Sequence, residues 1–246
     1  MIELRNLTGR TLLTADADDL RDAVAAAIER RVDLSGAQLA GADLHGLDLA
    51  DMALAGAVLA GANLDGANLE DADLSRADLA GASLRGANLE HASLAGANLS
   101  RTRFDGANLE LADLRGAAVE AARFSRANLE RACLESVRGE RAVFSHANLE
   151  RCNLRHARLH HAELVAANLE RCDLRGAELV AANLAAANLE RSDLRRADLT
   201  GADLREANLE RCDLDEAVLD GASTESTNFD GVRGTPATRP VTAPYR

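Results

Sequence analysis

The sequence predicts an all-β solenoid in which a five-residue unit forms one side of a coil and four units complete a turn. Two periodicities and the composition predict it. From Leu34 to Phe229 every fifth residue is Leu, Phe or Val, with Gly139 and Thr224 the exceptions. Two residues before each stands a small residue, usually Ala, as at Ala37, Ala42, Ala57 and Ala62. A period of five matches neither the 3.6 of a helix nor the 2.0 of a flat strand. The second period is twenty: Ala-Asn-Leu-Glu recurs with its Glu at 70, 90, 110, 130, 150, 170, 190 and 210. Four units therefore bring the chain back above itself, and each turn contacts only its neighbours. Aromatic residues are only 2% of the chain and Trp is absent, while hydrophobic residues are 47%. A core made almost entirely of Ala and Leu has to be thin and regular, because no large side chains fill irregular space.

Residues 1–31 read as an N-terminal cap. Ile2–Asn6 and Thr11–Thr14 are two expected strands around a turn containing Gly9, and 18–31 is an expected helix. Leu20, Val24 and Ile28 line one stripe of that helix beside Ala23 and Ala27, and Asp16, Asp18 and Asp19 favour its positive end. An open coil end would offer unpaired backbone N–H and C=O groups to any other strand, which is the physical need for such a cap.

The local motif Ala-Asp/Asn-Leu-X-X, repeated in one frame from about Val32 to Val232, resembles the pentapeptide-repeat family. The resemblance implies a right-handed quadrilateral β-helix over 32–232, with the central Leu or Phe and the small residue two before it pointing inward. About ten coils at ~4.8 Å make a rod roughly 48 Å long. Gly231–Arg246 contains all three Pro residues, and 233–246 reads as a flexible tail. Quinolone-resistance members of the family usually dimerise through a C-terminal helix. No amphipathic helix follows the last coil here, so dimerisation by that route is not indicated.

Folding the sequence on twenty residues stacks Phe104, Phe124 and Phe144 on one side and Asn68, Asn88, Asn108 and onward to Asn228 on the next, an expected amide ladder. Cys152, Cys172 and Cys212, with Ser192 in the same column, fall at small inward positions, and a stack on one wall does not provide tetrahedral metal geometry. His146, His156, His160 and His161 point outward on different sides. At Gly139 the inward side chain is missing and Val137 takes the small position, so a backbone bulge without an inserted loop is expected.

The net charge is −12, from 40 acidic residues and 28 basic ones, all of them Arg. That balance disfavours direct binding to nucleic acid or an anionic membrane and favours a basic partner. No signal peptide or long apolar run is present, and four Cys lack a disulfide framework spacing, so a cytoplasmic protein is expected. No nucleophile–base pair, phosphate loop or carboxylate cleft emerges, so no catalytic residue, cofactor or metal ligand is expected.

Charge is uneven: residues 1–120 hold 20 acidic and 10 basic residues (−10), against 20 and 18 (−2) in 121–246. Asp48, Asp51, Glu70, Asp71 and Glu90 form one candidate partner-binding patch, whereas Arg131, Arg151, Arg171, Arg191 and Arg211 form an alternative stripe beside the Glu column. Two functions are expected from these surfaces. The resemblance to topoisomerase-protecting family members implies a DNA mimic that binds a type II topoisomerase such as DNA gyrase and confers antibiotic resistance. The alternative is a structural scaffold that docks to a protein through the Glu/Arg stripe.

Overall fold

The computed structural model describes residues 1–238 and shows the four-sided right-handed β-helix. Each coil has four sides, named here by their central residues: the first from Leu34 to Leu214, the second from Leu39 to Leu219, the third from Leu44 to Thr224 and the fourth from Leu49 to Phe229. Every side is one short rung, and rungs twenty residues apart pair in parallel, as Asn68 with Asn88 and Asn88 with Asn108. The central N–H donates forward to the next coil (Leu69 N to Asn88 O, 2.6 Å), and the residue before it donates back (Asn88 N to Ala67 O, 2.9 Å).

Between sides the chain makes a four-residue turn, closed by bonds such as Ala72 N to Leu69 O at 3.1 Å. The third residue of that turn has φ between +50° and +69° at every fifth position from Arg31 to Gly231. This is the positive φ that type II turns require, where Gly is most readily accommodated. The first half of the rod mostly uses Gly there. The second half mostly uses residues with side chains, Arg131, Arg151 and Arg171 among them, and accepts a conformational cost of ~1 kcal/mol at each.

The interior is the predicted one. Central Leu and small Ala residues from Leu34 to Ala222 are almost wholly buried. Phe104, Phe124 and Phe144 stack with centroids 4.8 Å apart and planes within 4° of parallel, a spacing set by the coil rise. The bulge expected at Gly139 does not form. Arg138 keeps its rungs to Ala118 and Arg158, and Gly139 N still donates to Arg158 O at 2.8 Å. The gap is closed by side chains: a Cβ at 139 would lie 2.7 Å from Val119 Cγ2 and 2.9 Å from Leu159 Cδ2. Neighbouring coils supply the missing volume, so the backbone need not move.

The N-terminal cap consists of β1 (Ile2–Arg5), β2 (Thr11–Ala15) and helix α1 (Leu20–Glu29). β1 and β2 pair antiparallel. The chain just after β1 pairs with the first coil, Asn6 against Ala37, with Gln38 N donating to Arg5 O at 2.9 Å. Asp19 caps α1 by accepting from Asp22 N, and Ala23, Val24 and Ala27 are buried against the core. Arg21 Nη1 reaches across to His45 O at 2.8 Å.

At the other end, residues 233–238, expected as the start of a flexible tail, lie along the last coil. Arg233 forms a rung with Asp213, Ala237 N donates to Ala217 O, and Thr238 Oγ1 accepts from Leu219 N. The remainder of the expected tail, 239–246, lies outside the described residues. Among the described residues no helix is long and apolar enough to cross a membrane.

Candidate functional site: the fourth side

The fourth side carries three outward columns. Nearest its rung centre is the amide ladder, in which each Asn Nδ2 donates to Oδ1 of the residue one coil below: Asn88 to Asn68, Asn108 to Asn88, and on to Asn228 to Asn208, at 2.9–3.2 Å. The same Oδ1 atoms accept the backbone N–H two residues on, as at Glu90 and Glu130. Asp48 is the foot of this ladder: its carboxylate accepts from Asn68 Nδ2 at 2.9 Å. It therefore has a structural partner as well as a place in the acidic patch.

The second column is Glu and the third changes identity along the rod. Glu70, Glu90 and Glu110 accept from the amides of Asn88, Asn108 and Asn128 at 3.2, 3.3 and 3.4 Å. Beside them stand Asp71, His91 and Leu111. From Glu130 onward the third column is Arg, and each Glu has an Arg 3.5–3.8 Å away: Glu130–Arg131, Glu150–Arg151, Glu170–Arg171, Glu190–Arg191 and Glu210–Arg211. Arg151 and Arg171 also approach the Glu one coil below. The stripe is thus a ladder of internal ion pairs.

Asp48, Asp51, Glu70, Asp71, Glu90 and Glu110 share this side, and no Arg of the side lies beside them. Sequence columns singled out five of the six. Two further residues belong with them. Glu110 continues the Glu column before the first Arg, and His91 lies 3.8 Å from both Asp71 Oδ1 and Glu90 Oε1. A His in the column that holds Asp at 71 and Arg at 131 was the visible signal for the second.

Other sides pair their charges locally. Arg115 and Arg205 hydrogen-bond Asp113 and Asp203 and hold those carboxyls below the usual range. His160 Nε2 sits 2.8 Å from Glu178. The inward thiols of Cys152, Cys172 and Cys212 donate to the carbonyls of Leu129, Leu149 and Leu189 at 2.8–2.9 Å, as Ser192 does to Leu169. Burial pushes the Cys212 thiol up to about 12 and Cys152 and Cys172 well above the ordinary value. Cys133 is half-buried on the outside. Among the described residues no group of three His, Cys, Asp or Glu could hold a metal ion.

Comparison with protein families agrees with the five-residue repeat. The family described as pentapeptide repeats matches residues 54–90, 82–118, 102–138 and 122–160, and a pentapeptide repeat region matches 142–219. HetL, a pentapeptide repeat protein involved in heterocyst differentiation regulation from the cyanobacterium Nostoc sp. strain PCC 7120, is 30% identical over 86% of this chain and 93% of its own, with a TM-score of 0.46. Rfr23 from the cyanobacterium Cyanothece 51142 is 33% identical over 42% of this chain and 67% of its own, with a TM-score of 0.29. QnrB1, a plasmid-mediated fluoroquinolone resistance protein, is 20% identical over 69% and 83%, with a TM-score of 0.37. A comparison with curated proteins gives no match. With the five-residue frame, the four-sided coil and the matches across 54–219 agreeing, this chain belongs to the pentapeptide-repeat family.

Proposed function

We propose that the chain is a non-catalytic binding protein that presents the acidic part of its fourth side to a basic, DNA-binding surface of a protein partner, with a type II topoisomerase such as gyrase as the specific form. The observation that carries this reading is the contrast along one side. Carboxylates from Asp48 to Glu110 have no Arg of that side beside them, whereas those from Glu130 onward are matched by Arg. Over Leu34–Glu120 there are 13 acidic and 5 basic residues, net −8. At ~4.8 Å per coil this is about 0.4 charges per Å, against about 0.6 for B-form DNA. The scaffold alternative relies on Arg131, Arg151, Arg171, Arg191 and Arg211, and its docking would have to compete with the ion pairs those residues already make.

The test is a variant with Asp48→Asn, Asp51→Asn, Glu70→Gln, Asp71→Asn and Glu90→Gln, which keeps an acceptor at the foot of the amide ladder. Wild-type protein should inhibit gyrase supercoiling or protect the enzyme from a fluoroquinolone, the effect should fade as salt rises, and the variant should lose it. Charge reversal at Arg151, Arg171 and Arg191 should leave it intact. Absence of any wild-type effect at ~100 µM, well above ordinary signalling affinities, would exclude the gyrase form.

A further inference from the structure

The third side separates its charges in a way that ion pairs within the chain compensate only in part. Along its rungs, Arg85, Arg103, Arg123 and Arg126 stand exposed toward one end. Val143, Glu163, Val165, Ala166, Ala185 and Ala186 occupy the middle, Glu163 accepting from Asn183 Nδ2, and Asp203, Glu206 and Glu225 lie at the other end with Arg205. Arg103 and Arg123 are neighbours in one ladder, a like-charge adjacency that costs stability. Internal pairing covers only part of this side: Arg123 with Asp105 at 3.5 Å and Arg205 with Asp203 at 2.6 Å. Among the described residues, Arg85, Arg103, Arg126, Glu206 and Glu225 have no ion pair.

We propose that the third side is the contact face of an antiparallel homodimer, its occupant a second copy of this chain. Consider a two-fold axis lying in the contact plane, perpendicular to the rod and midway between the coils of Phe144 and Leu164. It keeps each residue's place along its rung and reverses the order of rungs. The coil of Leu84 then meets that of Thr224, and the coil of Phe104 meets that of Leu204. Arg85 comes opposite Glu225 of the second copy, Arg103 opposite Asp203 and Asp105 opposite Arg205, each twice by symmetry. Arg126 comes opposite Ala186, diagonal to Glu206. In the centre Ser145 meets Val165 and His146 meets Ala166.

No like charges are directly opposed in this register. Adjacent registers fail that criterion. With the axis on the Leu164 coil, Glu163 meets itself and Asp105 meets Glu225. With it on the Phe144 coil, Arg85 meets Arg205 and Asp65 meets Glu225. A shallow recess of about 340 Å3, lined by Val165, Ala185, Ala186, Arg205, Glu206 and Glu225, lies where the second copy brings Arg126, Asp105 and Arg85. Eight coils of ~4.8 Å and a side about 12 Å wide bury roughly 900 Å2 in total, the range of weak complexes, so dissociation on the order of 10 µM is expected. The axis runs along the rungs of the third side, so the fourth sides of both copies face the same way and stay open. The dimer uses none of the acidic patch, and it stands or falls independently of the gyrase reading.

Sedimentation velocity on the full chain from ~1 to ~300 µM, spanning that expected dissociation constant, should show a monomer–dimer equilibrium. Arg85→Glu alone and Glu225→Arg alone each oppose like charges twice and should weaken dimerisation at least tenfold. Both side chains are exposed and outside the positive-φ positions, so each variant keeps the wild-type circular dichroism. An equimolar mixture of the two variants restores both charge pairs and should dimerise as the wild type does. A wild type that stays monomeric throughout overturns the proposal. So do single variants that dimerise unchanged, or a mixture that fails to associate.

Discussion

Cys152, Cys172 and Cys212 show how much a single inward position can demand. Each is small enough for the column beside Leu, and each thiol donates to the carbonyl of the residue 23 positions earlier. Ser192 makes the same bond in that column and Thr102 on the third side. Because burial raises these thiol pKa values, the folded state holds their protons more tightly than the unfolded chain. Their contribution is therefore complete below the unfolded value near 9 and is lost as pH rises toward the folded one. Denaturant unfolding should show stability falling above pH ~9 in the wild type and falling less in a Cys152→Ser, Cys172→Ser, Cys212→Ser variant. A thiol reagent at pH 7.5, roughly a unit below the free thiol value, should modify Cys133 first and the other three only on unfolding.

At the scale of an element, the amide ladder binds the coils of the fourth side. Asn128 donates to Asn108 Oδ1 at 3.0 Å and accepts from Asn148 Nδ2 and Glu130 N at 3.1 and 3.2 Å. Asn128→Ala removes all three, together with the 3.4 Å bond to Glu110 Oε2, and should cost ~2–3 kcal/mol. Asn128→Asp keeps both acceptor bonds but turns a carboxylate oxygen toward Asn108 Oδ1 and the Glu110 carboxylate, so at neutral pH it should cost more than Asn128→Ala. Paired thermal melts of the two variants check the order, and equal losses would mean that packing, not the amide bonds, sets the stability of this column. The turns of the same side show the opposite economy. Their third residues hold positive φ whatever side chain they carry, so the Arg column sits on backbone that Gly would occupy more readily.

For the whole molecule, each coil is held by the coils above and below it, and a defect in mid-rod damages two interfaces at once. Leu174 is about 1% exposed, and Leu174→Asp places a carboxylate where neither water nor a cation reaches it. Its melting temperature should fall by more than ~10 °C. Arg175→Ala, one residue on and facing outward, should change it little. Equal small shifts in differential scanning calorimetry would contradict the inward and outward assignment of the entire solenoid. Gly139 shows the tolerant side of the same interlocking: Val119 and Leu159 fill its space without moving the rungs.

The sequence by itself determined the coil, its frame, the N-terminal cap, the Phe stack and the amide ladder, because each follows from a constraint repeated every five or twenty residues. An inward Leu or Ala at a given position has one possible fate. Outward residues have several, and only the tertiary structure decided among them. Asp48 became the foot of a ladder, Arg131 to Arg211 turned onto their own Glu column, and residues 233–238 lay down on the last coil. Those outcomes depend on side-chain rotamers, on neighbours about twenty residues away and on backbone groups left open at a coil end. Each is a choice between partners of similar energy, set by geometry across coils and not by the local repeat.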